Sequence, residues 1–258
     1  MVGWAERAMR RTGALVAGVV LCATWQAAVA APGEAPLPNA KEVLERNVRA
    51  SGGREALLRH KSMTVHGRFQ DPARHLDVEV VSYNRGLKTL QVAELPSGRS
   101  LSGYDGHTAW DLDSHGKVTL HQGDEVRSIA RDADMYYRLH VLDYFKSLEV
   151  IDVQDFEGRP CYHLLGINNW GRKNEQFYDK ETGLLRGYRF NTAWRGGAGD
   201  ATALFEDYRD FGGVLMPAKS TSREGGSVSV FLITAVTWDD VPDSTFELPA
   251  AVRSALAH

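Results

Sequence analysis

The stretch Ser100-Leu-Ser-Gly-Tyr-Asp-Gly-His-Thr-Ala-Trp-Asp-Leu112 decides how this chain folds. The Asp-Gly pair at positions 105 and 106 tolerates the positive φ that a tight turn needs. The flanking segments, Ser100 to Tyr104 and Thr108 to Leu112, have the length and aromatic content of strands. We therefore predict an antiparallel β-hairpin here.

Strand patterns continue on both sides of this hairpin. Upstream, apolar and acidic residues alternate from Leu76 to Val80, which is typical of a half-buried strand. Downstream, Val228 to Trp238 is the longest predicted strand and has apolar residues on both faces. A meander of about ten or eleven antiparallel strands is predicted, and a sheet of that size must curl or close. The predicted fold class is mainly β with α: a curled antiparallel sheet, an incomplete β-barrel, covered by helices.

Two helical regions accompany the predicted sheet. Asn39 can cap a helix from Ala40 to about Ala50, and a second short helix follows from Arg54 to His60. Residues 123–145 then interrupt the strands with apolar residues at helical spacing. The apolar face of this interruption either plugs the sheet or moves as a lid.

The N-terminus has the pattern of an export signal. A basic start that includes Arg7 precedes an uncharged apolar run, Gly13 to Ala23, and Ala28-Val-Ala30 suits a signal peptidase. The run is about half of the roughly 20 residues that a membrane-spanning helix needs, although an uncleaved anchor is an alternative. We predict a signal peptide over 1–30, cleaved after Ala30, and a periplasmic mature protein.

The rest of the chain is predicted to form one domain, because no Pro/Gly/Ser-rich linker divides it. A flexible leader is expected over 31–38, the domain over 39–250 and a C-terminal tail over 251–258. Loss of the signal, which carries a net charge of +2, changes the formal charge from −3 to −5. Mild acidity without a charged block disfavours nucleic acid as a partner.

The cysteine and histidine content argues against an intramolecular disulfide and against a metal site. After cleavage Cys161 is the one remaining cysteine, so no intramolecular disulfide can form. A buried, inert thiol is favoured over a reactive one. The nine histidines include no His-Glu-x-x-His or other tight ligand set. We therefore expect no metal and no cofactor.

Two short stretches resemble the LolA/LolB-like fold of bacterial lipoprotein carriers. Gly103 to Asp111 resembles that family's Asp-Gly-Lys-Thr-x-Trp hairpin, and Asp243-Ser-Thr-Phe-Glu-Leu-Pro249 resembles its closing segment. Three further stretches are similar to outer-membrane lipoprotein-sorting-like proteins: Ala50 to Leu57, Tyr178 to Leu185, and Asp207-Tyr-Arg-Asp210 before Val214 to Pro217. The resemblance covers nearly the whole mature chain.

The resemblance implies an incomplete barrel whose apolar concave face holds acyl chains under a helical lid. It also implies a lid-contact role for Arg85, although strand alternation places Arg85 on the side of Asp77 and Glu79. The candidates for the hydrophobic cavity and lid are aromatic or long apolar side chains: Trp110, Met135, Tyr136, Leu139, Leu142, Phe177, Tyr188 and Phe190. The alternative for the aromatic members of this set is an ordinary core.

Catalytic chemistry has little support in the sequence. Asp105, Asp132, Asp134 and Asp179 lie at predicted turns or a helix start, where Asp is favoured for local hydrogen bonding. Neither a Gly-x-Ser-x-Gly elbow nor a phosphate loop is present. We assign no catalytic residues and expect no enzyme, with a hydrolase of envelope lipid or glycan as the disfavoured possibility.

The sequence therefore predicts a periplasmic lipid or lipoprotein carrier that shields acyl chains from water. Its partners would be the acyl chains of lipids or lipoproteins, and an inner- or outer-membrane protein that accepts or delivers them. The alternative is an envelope-stress sensor or protein-interaction module of the same fold with no transport role.

Overall fold

The strands of the chain form one antiparallel sheet. In a computed structural model that describes residues 36–257, this sheet has 13 strands and is not closed into a barrel. The predicted signal peptide, residues 1–30, lies outside the described residues. The strands are β1 Ser62–Asp71, β2 Leu76–Arg85, β3 Lys88–Leu95, β4 Gly98–Tyr104, β5 Ala109–Leu112, β6 Val118–Leu120, β7 Phe145–Phe156, β8 Arg159–Asn168, β9 Lys173–Asp179, β10 Leu185–Asn191, β11 Asp200–Phe211, β12 Val214–Glu224 and β13 Ser227–Trp238.

The first and the last strand of the chain pair with each other in the middle of the sheet. The order is β6-β5-β4-β3-β2-β1-β13-β12-β11-β10-β9-β8-β7, so β1 pairs with β13. The edge strands β6 and β7 are consecutive in sequence. The segment that connects them, residues 121–144, is here called the insertion. The curled sheet is confirmed, and the insertion leads from one open edge of the sheet to the other.

Five α-helices accompany the sheet in the described residues. They are α1 Ala40–Ala50, α2 Gly53–Arg59, α3 Asp124–Ala133, α4 Tyr137–His140 and α5 Ala250–Leu256. The insertion contains α3, α4 and the short 3-10 turn Val141–Tyr144. None of the helices in residues 36–257 has the length and apolar character needed to cross a bilayer.

The predicted cap of α1 is present. The Asn39 side chain accepts a hydrogen bond from the Glu42 backbone at 3.0 Å, and the Glu42 carboxylate accepts from the Asn39 backbone at 3.2 Å. Asn47 then donates to the Gly183 carbonyl at 3.1 Å, which ties α1 to the turn between β9 and β10. The helix is thereby fixed across one half of the sheet.

A hydrophobic core lies between α1, the insertion and strands β7 to β9. Val43 and Leu44 of α1 pack with Val141 of the insertion and with Leu164 and Tyr178 of the sheet. The face of the sheet that carries Leu164 and Tyr178 is here called the inner face. Side chains alternate along a strand, so Cys161 and Phe177 lie on the opposite, outer face.

The C-terminus differs from the expected tail. Residues 251–256 belong to helix α5, which starts after Pro249, and its Val252 is fully buried. The preceding segment contains a 3-10 turn, Asp243–Phe246, with a buried Phe246. The run Ala250 to Leu256 is made mostly of good helix formers, and the buried Val252 keeps this short helix attached.

Candidate functional site

The α3 end of the insertion is held to the inner face by apolar packing. Tyr104 and Ala109, which flank the hairpin turn of β4 and β5, pack against Ala133 and Ile129 of α3. Tyr104 and Ala109 are paired in register, so they present one surface to the helix. The first half of the insertion is therefore attached to the sheet in the ordinary manner of a helix on a core.

The α4 end is held by polar contacts with backbone carbonyls. The Met135 N–H donates to the Gly86 carbonyl at 3.0 Å, and the Tyr136 hydroxyl donates to the His60 carbonyl at 2.8 Å. The Arg138 guanidinium donates to the Leu215 carbonyl at 3.1 Å. Such bonds each contribute about 0.5–1.5 kcal/mol net and add to the packing of Tyr137 and Val141 in the core beside α1.

Asp134 organises the polypeptide between α3 and α4. Its side chain is 1% exposed and accepts hydrogen bonds from His140 Nδ1 at 2.7 Å and from the Tyr144 hydroxyl at 2.9 Å. It also accepts from the Tyr136 N–H at 2.9 Å. Burial, followed by the hydrogen bond to Asp134, raises the pKa of Tyr144. Asp134 thus fixes the shape of α4 rather than starting a helix.

A groove of about 660 Å³ lies between the insertion and the inner face. One wall, from β1, β12 and β13, is mostly apolar: Val65, Met216, Pro217, Phe231 and Ile233. The facing wall, from β2 to β4, is polar and uncharged: Ser82, Asn84, Thr89, Gln91 and Ser102. The expected apolar concave face is therefore only half apolar, because β2 and β3 place hydroxyl and amide side chains on it.

Arg138 is the charged side chain of α4 that borders this groove. It also lines two neighbouring spaces. One is a cavity of about 190 Å³ whose lining includes four tyrosines, and the other is the cleft between α1 and the insertion. Burial lowers the pKa of its guanidinium. The four tyrosines are Tyr137, Tyr178, Tyr188 and Tyr208. Burial raises the pKa values of Tyr137 and Tyr208 to about 12 and raises those of Tyr178 and Tyr188 well above the usual value for tyrosine, so all four are neutral at pH 7.

A second, smaller pocket of about 230 Å³ combines aromatic and basic side chains. Arg131 lies over the Trp170 ring at 5.8 Å, and Arg172 lies over the Trp194 ring at 5.2 Å. Both arginines have acidic partners: Asp132 at 2.7 Å from Arg131, and Asp124 at 3.0 Å from Arg172. The positive charge of each arginine is therefore already balanced by a carboxylate.

The predicted cavity and lid residues fall into separate places. Tyr188 and Phe190 line the aromatic pocket on the inner face. Leu139 and Leu142 line a cleft of about 370 Å³ between α1 and the insertion, where Leu142 is 46% exposed. Met135 and Tyr136 are half-buried and attach the insertion by the hydrogen bonds described above.

Trp110 and Phe177 lie on the outer face. Trp110 belongs to β5, a strand that borders the groove. Its neighbours Ala109 and Asp111 are on the face under α3, so alternation places the Trp110 side chain on the opposite face, where its indole stacks over Gly103. Phe177 is fully buried between Phe156, at 4.1 Å, and His163, at 4.7 Å. Both side chains are in the packed sheet, the alternative that the sequence had left open for the aromatic residues.

Arg85 contacts the C-terminal segment rather than the insertion. Its guanidinium donates to the Val241 carbonyl at 3.1 Å and lies 3.3 Å from the Asp243 carboxylate. Register places it on the outer face, as alternation indicated. The contact with the insertion comes from the next residue, through the Gly86 carbonyl.

Two of the carboxylates considered for catalysis stabilise their own turns. Asp105 accepts from the N–H groups of His107 and Thr108 at 2.8 and 2.7 Å. Although burial raises the pKa of Asp179, hydrogen bonds from Arg159 and from the turn backbone outweigh it and lower that pKa to about 2. No group of three or more His, Cys, Asp or Glu in residues 36–257 is arranged to hold a metal ion.

Sequence reasoning missed most of the groove lining. Phe231 and Ile233 were visible as one apolar face of the longest strand, but nothing local indicated which face was inward. Ser82, Asn84, Thr89 and Gln91 alternate at period two, a signal for a polar inner wall. Arg138 carried no local signal, because its position follows from the path of the whole insertion.

Comparisons with known proteins support the fold. No family model and no curated protein matches the chain. A LolA superfamily protein from Nitrosomonas europaea matches with a TM-score of 0.57 and 15% identity, over 82% of this chain and 99% of that one. A DUF1329 family protein from Desulfovibrio piger matches with a TM-score of 0.57 and 14% identity, over 80% of this chain and 96% of that one.

A domain from Vibrio parahaemolyticus named for outer membrane lipoprotein sorting gives a TM-score of 0.53 and 12% identity, over 83% of this chain and all of that one. The three similar structures match 80–83% of this chain at 12–15% identity, which establishes architecture alone. The chain therefore has a LolA-like fold.

Proposed function

We propose that the protein is a non-enzymatic periplasmic carrier that holds an acyl chain of a lipid or lipoprotein in the groove under the insertion. The observation that carries this proposal is the groove itself, with a mostly apolar wall from three adjacent strands. Its volume of about 660 Å³ lies in the range of about 300–1,000 Å³ typical of small-molecule sites. Burial of each CH₂ of a chain is worth about 0.8 kcal/mol.

Entry and release are supported by the attachment of α4. Three hydrogen bonds to backbone carbonyls hold α4 and its flanking residues together with the packing of Tyr137 and Val141, whereas α3 is held by the packing of Ile129 and Ala133. Segments that move in binding come from the less stable parts of a fold. The similar domain named for lipoprotein sorting is consistent with an acylated ligand. The predicted export signal, in turn, supports a periplasmic location.

The test is native mass spectrometry of the protein purified from the periplasm, followed by extraction and identification of the bound lipid. We expect about one acylated ligand per protein, recovered chemically intact. Ile233→Asp places a charge on the apolar wall and should remove the ligand. Ile151→Asp is the matched control, because Ile151 is 43% exposed and outside the groove.

An empty wild-type protein that also takes up no fluorescent fatty acid would overturn the carrier proposal. A ligand retained equally in the Ile233→Asp variant would place the chain elsewhere. Release of hydrolysed lipid would favour an envelope hydrolase instead.

A protein-interaction module is the second candidate, and one observation favours it. The cleft between α1 and the insertion presents exposed Leu142 beside Val48 and Leu139. Apolar side chains at an open cleft are suited to contact with another protein. A photoreactive residue at position 142 should then crosslink to one envelope protein, and the absence of any crosslink would count against this role.

A further inference from the structure

Arg138 occupies the point where three cavities meet. Its side chain borders the groove, the tyrosine-lined cavity and the cleft beside α1. It lies on α4, the part of the insertion attached in part by hydrogen bonds to backbone carbonyls. A ligand entering under the insertion from any of these three sides would therefore reach its guanidinium.

Arg138 has no acidic partner. No carboxylate of residues 36–257 lies within ion-pair distance of it, and its one hydrogen bond is to the Leu215 carbonyl. Arg131, which borders the aromatic pocket, is by contrast paired with Asp132 at 2.7 Å. A mostly buried cation without a counter-charge is unfavourable unless something supplies that charge.

The other charges that line the groove are already paired. Asp111 is 2.8 Å from His121, and Asp132 is 2.7 Å from Arg131. The tyrosines next to Arg138 are neutral, and two of them already donate their hydroxyl protons, Tyr178 to Gln176 at 2.8 Å and Tyr208 to the Leu185 carbonyl at 2.6 Å. The cavity around Arg138 therefore offers one uncompensated positive charge among neutral side chains.

We propose that Arg138 binds the phosphate or carboxylate headgroup of an anionic amphiphile whose chain lies along the apolar wall of the groove. This inference rests on the proposed function and specifies its ligand class. Arginine presents several N–H donors in a planar fork that matches such oxyanions. The anion neutralises the guanidinium.

The test compares two ligands that have the same chain, dodecyl phosphate and 1-dodecanol. Their dissociation constants are measured by calorimetry at pH 7.5 for the wild type, Arg138→Met, Arg138→Lys and the control Arg99→Met. Arg99 is an exposed strand residue that is paired with Glu94 at 2.7 Å. Circular dichroism of every variant establishes that it is folded.

We expect the wild type to bind dodecyl phosphate at least about 10-fold more tightly than dodecanol, a step of about 1.4 kcal/mol. Arg138→Met should lose this preference while its affinity for dodecanol stays unchanged. Arg138→Lys should keep part of the preference, and Arg99→Met all of it. If Arg138→Met does not fold, loss of half or more of the preference in Arg138→Lys supports the assignment, and full retention overturns it.

Four results would overturn the inference in different ways. Equal wild-type affinities for the two ligands, or a preference that survives in Arg138→Met, would remove the headgroup role and leave the carrier proposal intact. Binding of neither ligand would overturn both. Inorganic phosphate that binds as tightly as dodecyl phosphate would indicate a site for free anions without a chain.

Discussion

The two faces of the sheet carry similar side chains, which are closely packed on the outer face and border open space on the inner face. On the outer face, Arg189 stacks over Phe177 at 4.7 Å and has Glu175 at 3.9 Å, within a fully packed cluster. On the inner face, Arg138 lies among tyrosines beside open volume and has no acidic partner in the described part of the chain, residues 36–257. Composition is thus a poor guide to function here. The informative difference is whether the space is filled and the charge compensated.

The outer cluster is expected to carry stability, and Phe177→Ala gives the largest predicted effect. Removing a fully buried ring from the stack with Phe156 should lower the free energy of unfolding by about 3–5 kcal/mol. Urea denaturation measures this loss. The fraction that remains folded should bind dodecanol normally. A loss below about 1 kcal/mol would mean that the two faces do not differ in this way.

Asp134→Ala should loosen the insertion without affecting the sheet. The substitution removes the acceptor of three hydrogen bonds, two of them from the side chains of His140 and Tyr144. Bonds to a charged group are worth about 1.5–3 kcal/mol each, so exchange of the α4 amides should accelerate by about 10-fold or more. Hydrogen exchange by mass spectrometry resolves this, with β8 as the internal control. Equal acceleration in β8 would show that the insertion does not open on its own.

Asp179 predicts an acid-sensitive contribution at the turn after β9. Its pKa is lowered to about 2 in the folded protein, from a value near 3.8 in the unfolded chain. Its contribution, at most about 2 kcal/mol, is therefore fully present above about pH 4 and is lost as the pH falls through 2. Wild type should exceed Asp179→Asn in stability at pH 7, and the difference should shrink below pH 4. A difference independent of pH would contradict the assignment.

Arg85→Ala should have the smallest effect of the set. Its contacts with Val241 and Asp243 are on the outer face, and its side chain is 39% exposed. We expect a loss of stability of at most about 1 kcal/mol and no change in ligand affinity. Parallel thermal melts and dodecanol titrations check both values. A marked loss of affinity would instead support the lid-contact role that the family resemblance implied.

Local sequence signals predicted the elements better than the site. The hairpin at 100–112, the Asn39 cap and the buried Cys161, whose pKa burial raises to about 11, follow from turn chemistry, helix capping and strand patterning. The face that Phe177 occupies depends on register across several strands. The position of Arg138 depends on the route of the insertion between two sheet edges. Such long-range relations leave no trace in a short window of sequence.

Whether the groove holds the acyl chain is tested most directly by photocrosslinking with a palmitic acid that carries a diazirine on its chain, followed by peptide mass spectrometry. We expect adducts on the inner residues of β12 and β13, such as Met216 and Ile233, and none on the outer cluster around Phe177. Adducts confined to the cleft between α1 and the insertion, at Val48 or Leu142, would show that the groove is not the site for the acyl chain.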